Sequence, residues 1–306
     1  MIYKERGELA QLTMTHLNLG EVIDVLMKYK GVSVEELVKN ICSVEDMLLF
    51  QSNKKYPTIE QLNKFAEKLN VDINYFFNLS SSGGFDYSIS IINLIEKYKR
   101  KRNYKEIYNI IINEKENPAF LNRLNRQYLV WHEGICIFYL KRNKCKAISI
   151  LNQAIDITNP LRKNLTEREI EILTSIAIIE KDDLNYSIAL DLFIDAYNYL
   201  KQLPHIIDSR VTLKVLYALS QLLTRLKRYE DSLMYCLEGI TVCRNYEQLY
   251  LFGELYYQTG ENYIKIGDKE KGIEYINKSI NIFELQNNSE YVDLVKKELE
   301  HLLREW

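Results

Sequence analysis

The stretch that decides the fold is Tyr256–Phe283, which reads YYQTGENYIKIGDKEKGIEYINKSINIF. Small, aromatic, turn-forming and large apolar residues stand in it at regular spacings: Gly260, Tyr263, Gly267, Gly272, Ile276 and Ser279. Small residues let two helices approach closely, and large ones fill the space between neighbouring helix pairs. The stretch therefore predicts a helix, a turn at Gly267 and a second helix packed against the first.

The same pattern recurs toward the amino terminus, more faintly with each step. Equivalent positions are residues 95, 135, 177, 220 and 260, so successive copies lie 40, 42, 43 and 40 residues apart. Within each copy, the small and large residues are spaced as in the tetratricopeptide signature. The usual period of that signature is about 34 residues, which is shorter than the steps found here. Longer connections are therefore needed, and Asn117-Pro118, Asn159-Pro160 and Leu203-Pro204 lie where they should fall. We expect an all-α, superhelical array of about five helical hairpins, with the segment from Ser289 as a terminal capping helix.

A different pattern of short helices occupies residues 17–79. Gly31 ends the first predicted helix, Ser33 and Ser43 begin the next two, and Thr58 caps a fourth. The stretch resembles the Cro/repressor-type helix-turn-helix of bacterial regulators, in which the helix after Ser43 enters the major groove of DNA. That resemblance implies the following DNA-contacting residues: Ser43, Val44, Glu45, Asp46, Lys54 and Lys55.

The charge of this helix-turn-helix segment leaves two interpretations open. Residues 16–79 hold seven lysines and nine acids, and no arginine occurs between Arg6 and Arg100. Neutralising phosphates supplies most of the non-specific affinity for DNA, although a carboxylate can accept a hydrogen bond from cytosine N4. The segment is either a DNA reader of unusual specificity or a retained fold whose groove-facing surface serves dimerisation or a partner.

The domain organisation follows from one Ser/Gly-rich patch, NLSSSGG at residues 78–84. We predict an amino-terminal extension over residues 1–16, a helix-turn-helix domain over 17–79, a linker over 80–87 and the hairpin array over 88–306. Only four prolines and 11 glycines interrupt the 306 residues, which is typical of a chain built from helices.

A stack of helical hairpins has a face formed by the first helix of each hairpin, and such faces bind extended peptides. Tyrosines, amides and mixed charges on that face would supply hydrogen bonds and apolar contacts. Each residue taken singly is more often part of a solvated surface, whereas the face taken as a whole favours binding. The predicted peptide-binding residues are Lys214, Tyr217, Gln221, Arg225, Glu254, Tyr257, Glu261, Lys265, His132 and Tyr139.

Residues 18 to 290 resemble the PlcR/Rgg group of peptide-pheromone quorum-sensing regulators, and the PlcR type in particular. The resemblance rests on Lys105–Asn109, Arg228–Leu233 and Gly253–Glu261. It implies a homodimer that binds a short signalling peptide in its groove and repositions two DNA-binding modules. The alternative is an adaptor that binds a peptide or protein and does not contact DNA.

Other classes of function lack their motifs. No Gly-rich phosphate loop, nucleophile elbow or metal-spaced cluster occurs, so we expect no enzyme, no cofactor and no metal. The five cysteines are scattered without a Cys-x-x-Cys pair, the net charge is −2, and no apolar run of membrane-spanning length is present. The amino terminus lacks the apolar core of a secretory signal. These observations predict a cytoplasmic protein without a membrane partner.

Overall fold

The computed structural model describes residues 19–52, 54–79 and 83–304. By their contacts these residues form two compact units. The first holds the described residues up to Asn103 together with Asn113–Asn125, and the second holds Tyr104–Ile112 and the residues from Arg126 onward. The predicted extension over residues 1–16 lies outside the described part.

The first unit begins with five short helices, of which the capping signals predict the first four. They are α1 (Leu19–Lys30), α2 (Val34–Val38), α3 (Val44–Gln51), α4 (Ile59–Leu69) and α5 (Asn74–Leu79). Their shared core contains Phe50, Phe65 and Phe76, each at most 1% exposed. Five helices this short are held by a common apolar core, because isolated helices of this length are marginal in water.

Local sequence fixes the ends of these helices. Gly31 has a φ of +67°, the left-handed conformation that ends a helix without cost to glycine. Thr58 and Gln61 form a capping box at the start of α4, in which each side chain bonds the other residue's backbone N–H. Asn70 ends the same helix in the left-handed region.

Eleven further helices follow in the described residues, in five consecutive pairs and a final single helix. They are α6 (Gly83–Arg100), α7 (Tyr104–Glu114), α8 (Arg123–Lys141), α9 (Lys144–Thr158), α10 (Glu167–Asp182), α11 (Tyr186–Gln202), α12 (Ser209–Arg225), α13 (Tyr229–Asn245), α14 (Phe252–Lys265), α15 (Lys269–Leu285) and α16 (Ser289–Arg304). A short 3-10 turn, Pro118–Phe120, precedes α8. The predicted all-α array of tetratricopeptide-like hairpins is confirmed.

Close packing of α14 against α15 depends on the two glycines of the signature. A Cβ atom on Gly260 would lie 2.6 Å from the carbonyl oxygen of Gly272. A Cβ on Gly272 would lie 2.8 Å from the carbonyl oxygen of Gly260. The two backbones therefore approach more closely than any larger residue allows, and Ile276, fully buried, fills the space beside them.

The predicted linker and domain boundaries stay predictions. Residues 83–87 of that linker belong to α6, and the preceding residues 80–82 lie outside the described part. No helix among the described residues is both long enough and apolar enough to cross a membrane.

Candidate peptide-binding site

A polar cavity of about 480 Å³ lies in the second unit where α10, α12 and α14 end. These three are the first helices of successive hairpins, so the cavity opens on the face from which peptide binding is predicted. Its volume is that of small-ligand pockets, which span roughly 300 to 1,000 Å³. The lining residues are Lys181, Asp182, Gln221, Thr224, Arg225, Lys227, Tyr229, Gln258, Glu261 and Lys265.

The cavity carries more positive than negative charge. Four lining residues are basic and two are acidic, which gives a formal net charge of +2. Both acids already have donors: the Tyr139 hydroxyl donates to Asp182 at 2.8 Å, and the Gln258 amide donates to Glu261 at 2.7 Å. The carboxyl ends of the three helices carry partial negative charge, which attracts these basic side chains and offsets part of their positive charge. The arrangement suits an acidic group on a ligand.

Arg225 is positioned by an aromatic neighbour. Its guanidinium lies 5.8 Å from the centre of the Tyr186 ring, and one of its N–H groups donates to the Tyr186 hydroxyl at 3.3 Å. A guanidinium over a tyrosine ring gains a modest attraction and keeps its other donors available. Arg225 is exposed and can therefore turn these donors toward an incoming carboxylate.

The structure brings four of the predicted peptide-binding residues together in this cavity: Gln221, Arg225, Glu261 and Lys265. Four other predicted residues lie one to three turns earlier on the same faces of α12 and α14: Lys214, Tyr217, Glu254 and Tyr257. They share these faces because their spacing of three or four residues follows the period of a helix. Lys214 makes an ion pair with Glu171 of α10. The Gln221 amide donates to the Tyr217 hydroxyl at 2.8 Å.

Burial raises the pKa values of three side chains on this neighbouring surface. Desolvation raises the pKa of Glu254, since a buried carboxylate loses water that stabilised its charge. The pKa values of Tyr217 and Tyr257 are raised for the same reason. The surface beside the cavity is thus half-buried, and it combines the aromatic rings of Tyr217 and Tyr257 with the polar side chains of Lys214 and Glu254.

Tyr139 and His132, both on α8, differ in their placement. Tyr139 stacks on Tyr104 with ring centres 4.3 Å apart and reaches the cavity lining through Asp182. His132 is only 1% exposed, and its Nδ1 lies 2.9 Å from the carbonyl oxygen of Tyr128. Its ring centre is 4.4 Å from that of Trp131. In this structure the imidazole therefore packs inside the hairpin and does not reach the surface.

Sequence reasoning missed six residues of the cavity lining: Lys181, Asp182, Thr224, Lys227, Tyr229 and Gln258. A signal was available for the first two. They are the last residues of α10, as Arg225 is the last of α12 and Lys265 the last of α14. Extending the repeat template to the end of the first helix of the third hairpin would have included them.

The surface of α3 is apolar and acidic. Val44 and Leu48 are 42% and 58% exposed, Glu45 lies exposed between them, and the Ser43 hydroxyl accepts the Asp46 backbone N–H at 3.0 Å. Lys55 lies 2.7 Å from the Asp46 carboxylate and holds the pKa of Asp46 below its usual value. Lys54 is exposed. Two of the predicted DNA-contacting side chains thus neutralise each other.

A comparison with known protein families shows to which family this chain belongs. Residues 92–304 match the RNPP family C-terminal domain. The chain belongs to the RNPP family. The resemblance predicted from the sequence is confirmed, and the family comprises regulators rather than enzymes. No curated protein sequence matches the chain.

Solved structures of similar fold include three regulators. PlcR of Bacillus thuringiensis, in complex with the peptide PapR7 and DNA, has a TM-score of 0.76 at 23% identity, over 91% of this chain and 98% of that one. The SHP pheromone receptor Rgg2 of Streptococcus dysgalactiae has a TM-score of 0.62 at 14% identity, over 94% and 100%. ComR of S. thermophilus, in complex with DNA and its signalling peptide ComS, has a TM-score of 0.59 at 12% identity, over 93% and 99%. At these identities the likeness establishes the fold.

Proposed function

We propose that the chain is a peptide-responsive transcription regulator, not an enzyme, and that it binds a short signalling peptide across the first helices of its hairpins. One observation carries this proposal: the basic cavity at the ends of α10, α12 and α14, on the face predicted to bind peptide. Membership of the RNPP family supports it. So does the fold shared with PlcR, whose structure was solved with a peptide and DNA.

The cavity takes an acidic group of the peptide, either a side-chain carboxylate or the free carboxyl terminus. Arg225 and Lys227 flank the turn between α12 and α13 and supply donors that neither cavity carboxylate uses. The rest of the peptide lies along the half-buried surface that includes Tyr217 and Tyr257. Aromatic rings there offer apolar contact, and their hydroxyl groups offer hydrogen bonds.

A displayed library of random seven-residue peptides, selected on the full chain, tests the peptide site. Calorimetry with an enriched synthetic peptide then compares Arg225→Gln with the matched control Arg228→Gln. Arg228 lies three residues away but pairs with Asp231 and does not line the cavity. Loss of one charged hydrogen bond is worth about 1.5 to 3 kcal/mol, so we expect Arg225→Gln to weaken binding at least about tenfold. Equal affinity of the two variants contradicts the assignment of the cavity.

We further propose that the amino-terminal helices bind DNA through α3. Glu45 accepts from a cytosine amino group, and Val44 and Leu48 contact thymine methyl groups. A second candidate function, an adaptor that binds a peptide or protein without DNA, is favoured by the exposed apolar and acidic surface of α3 and by the Asp46–Lys55 ion pair. Each function makes a different prediction for retention of DNA.

Electrophoresis of the full chain with a pool of random duplexes at low salt separates the two functions. For the regulator, we expect retained sequences whose cytosine preference is lost in Glu45→Gln. Glu67→Gln is the control, because it removes the same charge from an exposed position of α4. Absence of any retained duplex, with and without the selected peptide, refutes the regulator and leaves the adaptor.

We propose a homodimer in the cytoplasm as the functional form, because helix-turn-helix proteins commonly bind two half-sites as dimers. Sedimentation of the full chain with and without peptide tests the oligomeric state. A monomer under both conditions, at concentrations that retain DNA, contradicts the dimer.

A further inference from the structure

A chain of four hydrogen bonds connects the cavity wall to the interior of the fourth and fifth hairpins. The Gln258 amide donates to the Thr224 hydroxyl at 3.0 Å, and that hydroxyl donates to the Asn262 side-chain oxygen at 2.7 Å. The Asn262 amide donates to the Ser232 hydroxyl at 2.8 Å. Ser232 in turn donates to the backbone carbonyl of Ser220 at 2.8 Å.

The direction of this chain follows from the inventory of donors together with the shortest distances. A hydroxyl group has one hydrogen, so Ser232 spends its own on the Ser220 carbonyl and must accept from Asn262. Thr224 then accepts from Gln258 and donates to the Asn262 oxygen at 2.7 Å, which is the nearest of its possible acceptors, since the Ser232 hydroxyl lies 2.9 Å and the Ser220 carbonyl 3.1 Å away. Bonds aligned in this way strengthen one another.

The chain lies almost wholly out of water. Asn262, Ser232 and Ser220 are 0% exposed, and Gln258 is 5% exposed. A buried amide must keep its hydrogen-bond partners, because an unsatisfied buried polar group is costly. Only Thr224 and Gln258 among these residues line the cavity. Asn262 stands behind them and joins α14 to α12 and α13.

We infer that Asn262 is a positioning residue: it fixes the Thr224 hydroxyl and, through it, the Gln258 amide in the wall of the cavity. Gln258 also donates to Glu261, so the same residue holds one cavity carboxylate in place. A ligand that takes the Gln258 amide must displace one of its two acceptors, Thr224 or Glu261. Where it displaces Thr224, binding in the cavity is coupled to the packing of three helices, a consequence that rests on the proposed peptide site.

The test measures the Gln258 side chain directly in the full chain, without any ligand. Selective ¹⁵N-glutamine labelling reports the exchange rate of its side-chain amide hydrogens with water. Asn262→Leu keeps the side-chain size and removes both bonds, and we expect exchange at Gln258 to accelerate about fivefold, the effect of losing one net hydrogen bond. Thr174→Val is the control, because the Thr174 hydroxyl is buried and bonds only the Ile170 carbonyl of its own helix.

Two measurements, the exchange rate of the Gln258 amide and the affinity for the selected peptide, separate the inference from the proposed function. Unchanged Gln258 exchange in Asn262→Leu overturns the positioning role. Faster exchange together with a several-fold loss of affinity for the selected peptide supports both. Faster exchange with unaltered affinity keeps the positioning role and removes the cavity as the peptide site. If circular dichroism finds Asn262→Leu unfolded, Ser232→Ala replaces it in the test. This variant removes one hydroxyl group and with it the next bond of the chain, so the same acceleration of Gln258 exchange is expected.

Discussion

Replacing Gly260 with alanine tests the close approach of α14 and α15 on which the signature depends. The new Cβ atom would lie 2.6 Å from the Gly272 carbonyl oxygen and 2.9 Å from the Ile276 backbone nitrogen. Backbone atoms cannot move away singly, so the two helices must separate. Overpacking of a core costs about 1 to 3 kcal/mol, and we take the upper end here. Alanine is favoured over glycine within a helix by up to about 1 kcal/mol, so the free energy of unfolding should fall by about 2 kcal/mol in total.

Gly239→Ala is the matched control. The three atoms nearest to its Cβ atom would all belong to the Leu255 side chain: the two terminal methyl groups at 2.9 Å and Cγ at 3.5 Å. A leucine side chain can change its rotamer, so the steric cost and the propensity gain should nearly cancel. We expect Gly239→Ala to alter the free energy of unfolding by less than about 1 kcal/mol.

Native-state hydrogen exchange distinguishes the two variants, because it measures the free energy of opening for each helix separately. Repeat proteins open locally, and each hairpin is stabilised by its neighbours. Amides of α14 and α15 should exchange about thirtyfold faster in Gly260→Ala, which corresponds to the expected 2 kcal/mol. Equal protection of these helices in the two variants would refute the reasoning from backbone contact.

Three other predictions concern local features. Thr58→Ala removes the capping box shared with Gln61 and should lower the unfolding free energy of the first unit by about 1 kcal/mol in urea denaturation. Asn70→Val, at the left-handed end of α4, should cost about 1 to 2 kcal/mol in the same assay, whereas Asn70→Gly should not destabilise. At pH 8 a maleimide should modify the exposed Cys145 and spare the buried Cys236. Burial raises the pKa of the Cys236 thiol to about 11, so little reactive thiolate forms until the pH approaches that value. Equal labelling of the two cysteines in the folded chain would contradict this prediction.

The sequence alone determined the succession of helices and the class of fold. Helix ends depend on residues a few positions apart, as at Gly31 and Thr58, so their signals are local. The repeat of small and large residues likewise fixes which residues join two helices of one hairpin, as Gly260 and Gly272 do. It also placed Arg225 and Lys265 on the face predicted to bind peptide, because a helical period determines the side of a helix on which each residue lies.

Only the tertiary structure decided which of those side chains meet. Asp182 joins the cavity from the third hairpin, Asn262 bonds Thr224 across 38 positions, and His132 turns into the packing of its own hairpin. Helical periodicity does not specify how far one helix is rotated or shifted against the next. That offset is set by the combined packing of many side chains from neighbouring helices, and no single stretch of sequence contains it.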